Sequence, residues 1–243
     1  MVSDIKIYET TDELNSGAAE LIAGLISSFI RLNFKCTFVL SGGSTPERLF
    51  TLLADNYKTE IDWKKVFLFW GDERYLPVDH PGNNYKMANE HLLSHVNIDP
   101  QSIFRINTDT SPEESAKEYE DRIKKFFGNN ELPVFDVVLL GLGKDGHVAS
   151  IFPGTDAVNE KEKWVAAVKA DSLNTERITM TLPVINNAKN VIFLISGEDK
   201  KEIVEKIFIK KEKDNFPALM VKPQNGSLFY LMDRAAAGDM KTE

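Results

Sequence analysis

Short apolar runs that do not alternate recur along this chain, and helical periodicities separate them. Val66–Trp70 is apolar throughout, Cys36–Leu40 is apolar and β-prone, and Phe135–Leu140 is a further apolar stretch. A strand with one face in water alternates apolar and polar residues, whereas a strand covered on both faces need not. Further strands are expected at Ile5–Tyr8, Ile103–Ile106, Ile178–Leu182, Val191–Ile195 and Leu228–Leu231. Between them Leu14, Ala18, Leu21, Leu25 and Phe29 recur at helical spacing, which predicts a helix over about Asp12–Leu32. Pro46–Ala54, Tyr85–Leu93, Pro112–Phe127 and Asp199–Phe208 also read as helices, the first with proline at a favoured starting position. Strands alternating with helices predict an α/β fold with a mostly parallel, doubly wound sheet. No internal repeat or low-complexity linker divides the 243 residues, so one domain over 1–243 is expected.

The totals narrow the function classes. The hydrophobic share of 42% is enough for a sizeable core. The net charge of −8 argues against a nucleic-acid partner. No apolar run approaches the roughly 18 residues of a membrane span, and Met1–Tyr8 has no secretory pattern. Cys36 is the single cysteine, so no internal disulfide forms, and a cytoplasmic location is expected. The charge run Lys210–Lys213 reads as a solvated turn.

In sheets of this kind ligands bind beyond the carboxyl ends of the strands. Three post-strand loops carry chemistry. Ser41-Gly42-Gly43-Ser44-Thr45-Pro46 combines glycines, hydroxyls and a helix N-terminus, a ready phosphate site, though a plain Ser/Thr-capped turn gives the same pattern. Gly71-Asp72-Glu73-Arg74 places three charges at a strand end. Arg74 there is suited to an oxyanion or a phosphate, or else to an ion pair with Asp72 or Glu73. The loop Leu76–Asn84 that follows is a candidate cleft wall. Gly141-Leu142-Gly143-Lys144-Asp145-Gly146-His147 sets a carboxylate two residues from an imidazole, as a general base requires. Arg177 and Lys200 lie near strand ends. His91 and His95 stand four apart but lack the His-Glu-x-x-His pattern and an evident third ligand, so no metal site is expected. His80 lies in the Pro/Gly loop, and Cys36 reads as a buried hydrophobe.

These blocks, with Asn83-Asn84, with Val148-Ala149-Ser150-Ile151-Phe152-Pro153 after His147, and with Arg177-Ile178-Thr179, resemble the 6-phosphogluconolactonases in order and spacing over nearly the whole chain. That group shares a superfamily with the glucosamine-6-phosphate isomerases/deaminases. The resemblance implies a modified Rossmann-like sandwich with helices on both faces of the sheet. It implies hydrolysis of 6-phospho-glucono-1,5-lactone to 6-phosphogluconate in the oxidative pentose phosphate pathway, with no metal or organic cofactor. The deaminases typically carry Tyr where this chain has Arg74, and a proton-transferring Glu where it has Phe152. The lactonases often carry Ser-Asn where this chain has Asn83-Asn84.

The implied mechanism has the phosphate on Gly42, Gly43, Ser44 and Thr45 with Arg177 and Lys200. His147, oriented by Asp145, activates water, and Arg74 serves the oxyanion or the phosphate. The alternatives are a deaminase/isomerase and a non-catalytic sugar-phosphate sensor. The sequence leaves the oligomeric state open.

Overall fold

The computed structural model describes residues 2–128, 131–170, 175–212 and 215–240. Among these residues ten strands run in chain order as β1 (Val2–Tyr8), β2 (Cys36–Leu40), β3 (Val66–Trp70), β4 (Asp72–Arg74), β5 (Ile103–Phe104), β6 (Val137–Leu140), β7 (Val165–Ala170), β8 (Thr175–Met180), β9 (Asn190–Ile195) and β10 (Ser227–Asp233). Seven form one sheet in the order β1-β10-β9-β6-β2-β3-β5, every neighbouring pair parallel. The residues of β2, β6 and β9 are buried at every position, which requires cover on both faces and explains their lack of alternation. The α/β architecture with a parallel central sheet is therefore as the sequence predicts.

The longer helices are α1 (Thr11–Asn33), α2 (Thr45–Asn56), α3 (Asn84–His91) and α4 (Pro112–Phe127). Three of them begin with a side-chain cap. The Thr10 hydroxyl accepts the Glu13 N–H at the start of α1, and Asn83 accepts the Lys86 N–H at the start of α3. Ser111 and Glu114 form a reciprocal capping box at α4, which ends at Gly128 in the left-handed region. Along α1 the buried stripe runs Leu14, Ala18, Ile22 and Ile26, while Leu21, Leu25 and Phe29 flank it. Four short helices follow: α5 (Leu182–Asn186), α6 (Lys201–Val204), α7 (Pro217–Met220) and α8 (Arg234–Ala237).

The strand order fixes where a ligand can sit. From β2 the chain moves outward to β3 and β5, and from β6 it moves the opposite way to β9 and β10. The order reverses between β2 and β6, and the crevice at such a switch point opens beyond the two strands' carboxyl ends. The Ser41 and Gly141 loops leave β2 and β6 there.

A second sheet, β4-β8-β7, is antiparallel and is not apparent in the apolar pattern. Its strand β8 starts at Thr175 and stops at Met180, so Leu182 opens α5 rather than ending a strand. The segment expected as one helix over Asp199–Phe208 is instead a 3₁₀ turn (Glu198–Lys200), α6 and a π turn (Glu205–Ile209). Of the charge run, Lys213 lies outside the described residues, and Lys210 pairs with Glu205 at 3.2 Å. Among the described residues no helix is long and apolar enough to cross a membrane.

Candidate active site

A cavity of about 460 Å³ lies at the switch point. Its walls come from the three loops singled out in the sequence, and every expected site residue lines it: Gly42 to Thr45, Arg74, Asp145 and His147, Arg177 and Lys200.

The first wall is the turn from β2 into α2. Gly43 has φ +90, a conformation that L side chains rarely adopt. A Cβ on Gly42 would lie 2.0 Å from Asn84 Oδ1, so only glycine lets α3 pack this closely. Ser44 makes no side-chain capping bond, which removes the reading of this segment as an ordinary Ser/Thr cap. Ser44, Thr45 and Pro46 at the start of α2 line the cavity without that cap, and a helix N-terminus favours an anion.

The second wall comes from β4 and β8. Their antiparallel register sets Arg74 opposite Arg177. Arg74 forms no ion pair with Asp72 or Glu73, so that expected alternative does not hold. Its Nη1 donates instead to Gly82 O at 2.7 Å, and its Nη2 lies 4.0 Å from where a Cβ on Gly43 would stand. The Leu76–Asn84 loop thus steadies Arg74 through a carbonyl, and its own residues do not line the cavity. Arg177 Nε is buried with no partner among the described residues. Burial first, and the neighbouring Arg74 charge second, push the Arg177 guanidinium below its ordinary pKa, with Asp72 and Glu73 opposing.

Glu73 is fully buried and does something the sequence did not signal. Its carboxylate accepts the backbone N–H groups of Arg74 (2.8 Å), Asn84 (2.6 Å) and Tyr85 (2.9 Å). It therefore sits at the N-terminus of α3, where negative charge is favoured, and locks that helix to β4. Burial nonetheless dominates and raises its pKa to about 7.

The third wall is the loop after β6. His147 Nδ1 lies 2.5 Å from Asp145 Oδ1, and the His147 backbone N–H donates to the same oxygen at 3.2 Å. Burial opposes ionisation of Asp145, but the hydrogen bonds and charge of His147 outweigh it and hold the carboxyl below its usual range. An ionised carboxylate at Nδ1 fixes the proton there and leaves Nε2 as the basic nitrogen. A Cβ on Gly143 would fall 2.1 Å from His147 Nδ1, so the imidazole rests directly on that glycine's backbone. Phe152 packs against the ring at a centroid distance of 4.5 Å. Nearby, Asp199 bridges Lys144 (3.4 Å) and Lys200 (3.6 Å).

Sequence reasoning did not single out three contributors. Lys144, Asp72 and Ser150 all line the cavity, and Ser150 Oγ donates to Asp72 Oδ2 at 2.6 Å. Asp72 stood in a flagged charge cluster, but Ser150 carried no signal of its own. The remaining histidines lie elsewhere: His80 Nδ1 accepts the Gly82 N–H, His91 meets Thr51, and His95 meets Glu90 O. Among the described residues no group of three or more His, Cys, Asp or Glu is placed to hold a metal ion.

A profile of the family described as glucosamine-6-phosphate isomerases/6-phosphogluconolactonase matches residues 9–230. The chain belongs to that family. Among its relatives, the probable 6-phosphogluconolactonase 1 of Arabidopsis thaliana is 37% identical over 251 residues, covering 98% of this chain and 93% of its own. The 6-phosphogluconolactonase of a Nostoc species is 35% identical, with 99% of each chain covered. The solved 6-phosphogluconolactonase from Trypanosoma cruzi superposes with a TM-score of 0.89 at 28% identity, covering 100% of this chain and 99% of that one. The family joins lactonases and isomerases, so the residues around His147 must separate the two.

Proposed function

We infer that this protein hydrolyses 6-phospho-glucono-1,5-lactone to 6-phosphogluconate, the reaction named for its relatives. The observation that carries the reading over a deaminase is the Phe152 ring against His147. Opening an amino-sugar ring needs a second proton-transferring group there, whereas a lactone is an activated acyl group that needs only attack by water.

The substrate phosphate sits on the Gly42–Thr45 turn between the guanidinium groups of Arg74 and Arg177. Lys200 adds positive potential that draws the anion in. Arg74 is assigned to the phosphate rather than to the oxyanion because its guanidinium lies beside Gly43. This remote anchor orients the carbonyl carbon toward His147. His147 Nε2 removes a proton from water as the oxygen attacks that carbon. The bond to the ring oxygen then breaks, and the imidazolium returns the proton to it, leaving the open-chain acid. Asp145 keeps the ring in the required tautomer and stabilises the transient imidazolium. We place this activity in a single domain over 1–243, in the cytoplasm, a compartment suited to its one buried free thiol, Cys36.

The test is lactone made in situ by oxidation of glucose 6-phosphate, with hydrolysis followed against the spontaneous background. Acceleration is expected. Release of ammonia from glucosamine 6-phosphate without lactone hydrolysis would reverse the assignment, and saturable binding of either compound without turnover would make the protein a sensor.

A further inference from the structure

The cavity carries one carboxylate that the mechanism above leaves unused. Asp145 is committed to His147. Asp72 is only 8% exposed and lines the cavity among the cations Arg74, Lys144, Arg177 and Lys200. It makes no ion pair with any of them. Its Oδ2 accepts the Ser150 hydroxyl at 2.6 Å, while Oδ1 makes no hydrogen bond to a described residue.

The carboxylate is held in a fixed direction. Ser150 is 2% exposed, and its N–H donates to Thr179 Oγ1 at 3.2 Å. Thr179 is itself the register partner of Asp72 between β4 and β8. Ala149 takes φ 48, where non-glycine residues are uncommon, in the turn that presents Ser150 to Asp72. From the other side, Asn84 Nδ2 donates to the Asp72 carbonyl at 2.9 Å.

An aimed carboxylate accepts hydrogen bonds and donates none. It repels the phosphate and so cannot belong to that anchor. A ligand group facing Oδ1 must therefore be a hydrogen-bond donor. Between its phosphate and its carbonyl, the lactone offers only hydroxyl donors, at C2, C3 and C4. We propose that Asp72, aimed by Ser150, accepts a hydrogen bond from a ring hydroxyl of the substrate and makes the enzyme selective for a hydroxylated lactone. This rests on the lactonase reading.

The experiment compares the parent lactone with its 2-deoxy, 3-deoxy and 4-deoxy analogues, each generated from the corresponding deoxyglucose 6-phosphate. Wild-type protein is expected to hydrolyse at least one analogue with kcat/KM roughly 10–100-fold below the parent, the range for a hydrogen bond to a charged group. In Asp72→Ala that gap should close to within about threefold, because the parent loses what the analogue never had. Ser150→Ala keeps the charge but releases its direction, and it should narrow the same gap severalfold. It also serves should Asp72→Ala fail to fold. Equal hydrolysis of all four compounds by wild type, or a gap unchanged in the folded variants, would overturn the proposal. A pure counter-ion to the two arginines gives that second outcome, since its loss shifts the KM of parent and analogue alike. Failure of wild type on the parent lactone would instead contradict the lactonase reading itself.

Discussion

Arg74 and Arg177 stand side by side on antiparallel strands, in register, and neither forms an ion pair with a described carboxylate. Like charges placed directly opposite on a sheet destabilise it. The arrangement becomes favourable once an anion with several acceptor oxygens lies between the two guanidinium groups and the bare N-terminus of α2.

Arg177→Ala should therefore raise KM for the lactone by roughly 10–100-fold and leave kcat within about threefold, as loss of a charged hydrogen bond remote from the reacting carbon does. Inorganic phosphate should raise the melting temperature of wild-type protein more than that of the variant, by mass action on the native state. A variant with normal KM and lowered kcat would move Arg177 away from the phosphate.

Gly143 supports the His147 imidazole from beneath. Gly143→Ala places a methyl group 2.1 Å from the present position of His147 Nδ1, so the imidazole must shift from the position in which it meets Asp145. We expect kcat to fall by about 10²-fold or more. Calorimetric affinity for 6-phosphogluconate should stay near the wild-type value. Unchanged kcat would mean that the position of the ring on Gly143 is irrelevant to the chemistry.

Glu73 gives a pH signature in stability. Its pKa rises from 4.5 to about 7 on folding. Between those values the native state holds more protons than the unfolded one, so this group's contribution is complete below about pH 4.5 and is lost as pH rises through 7. Glu73→Gln removes that part of the pH dependence. It also turns an amide N–H toward a backbone donor, so we expect it to cost about 1–3 kcal/mol. Urea unfolding at pH 5 and pH 7.5 should show a smaller decline for the variant than for wild type. Parallel declines would exclude Glu73 as the titrating group.

The central sheet was legible in the sequence because strands buried on both faces must be apolar at nearly every position, and Cys36–Leu40 and Val66–Trp70 match to the residue. The second sheet was not. Its strand β4 is Asp72-Glu73-Arg74, three charged residues whose extended conformation is set by pairing with β8 and not by any pattern of their own. The same reason hid Glu73: local sequence offers ion pairing with Arg74, while its actual partners include the N–H groups of Asn84 and Tyr85, eleven and twelve residues on. The loop carrying His147 was legible because Asp145 and His147 are close in sequence and the contact is local. Ser150 became meaningful only once the register of β4 and β8 brought Asp72 to it.

The proposed role of His147 as the base for lactone hydrolysis is read from the variant His147→Ala. Hydrolysis of freshly made 6-phosphogluconolactone would be timed for wild type, variant and buffer alone, with 6-phosphogluconate affinity measured on both proteins. Wild type is expected to accelerate the reaction above background, the variant to lose about 10²–10⁴-fold of that acceleration, and both proteins to bind the product alike. Acceleration undiminished in His147→Ala would mean that another group activates the water.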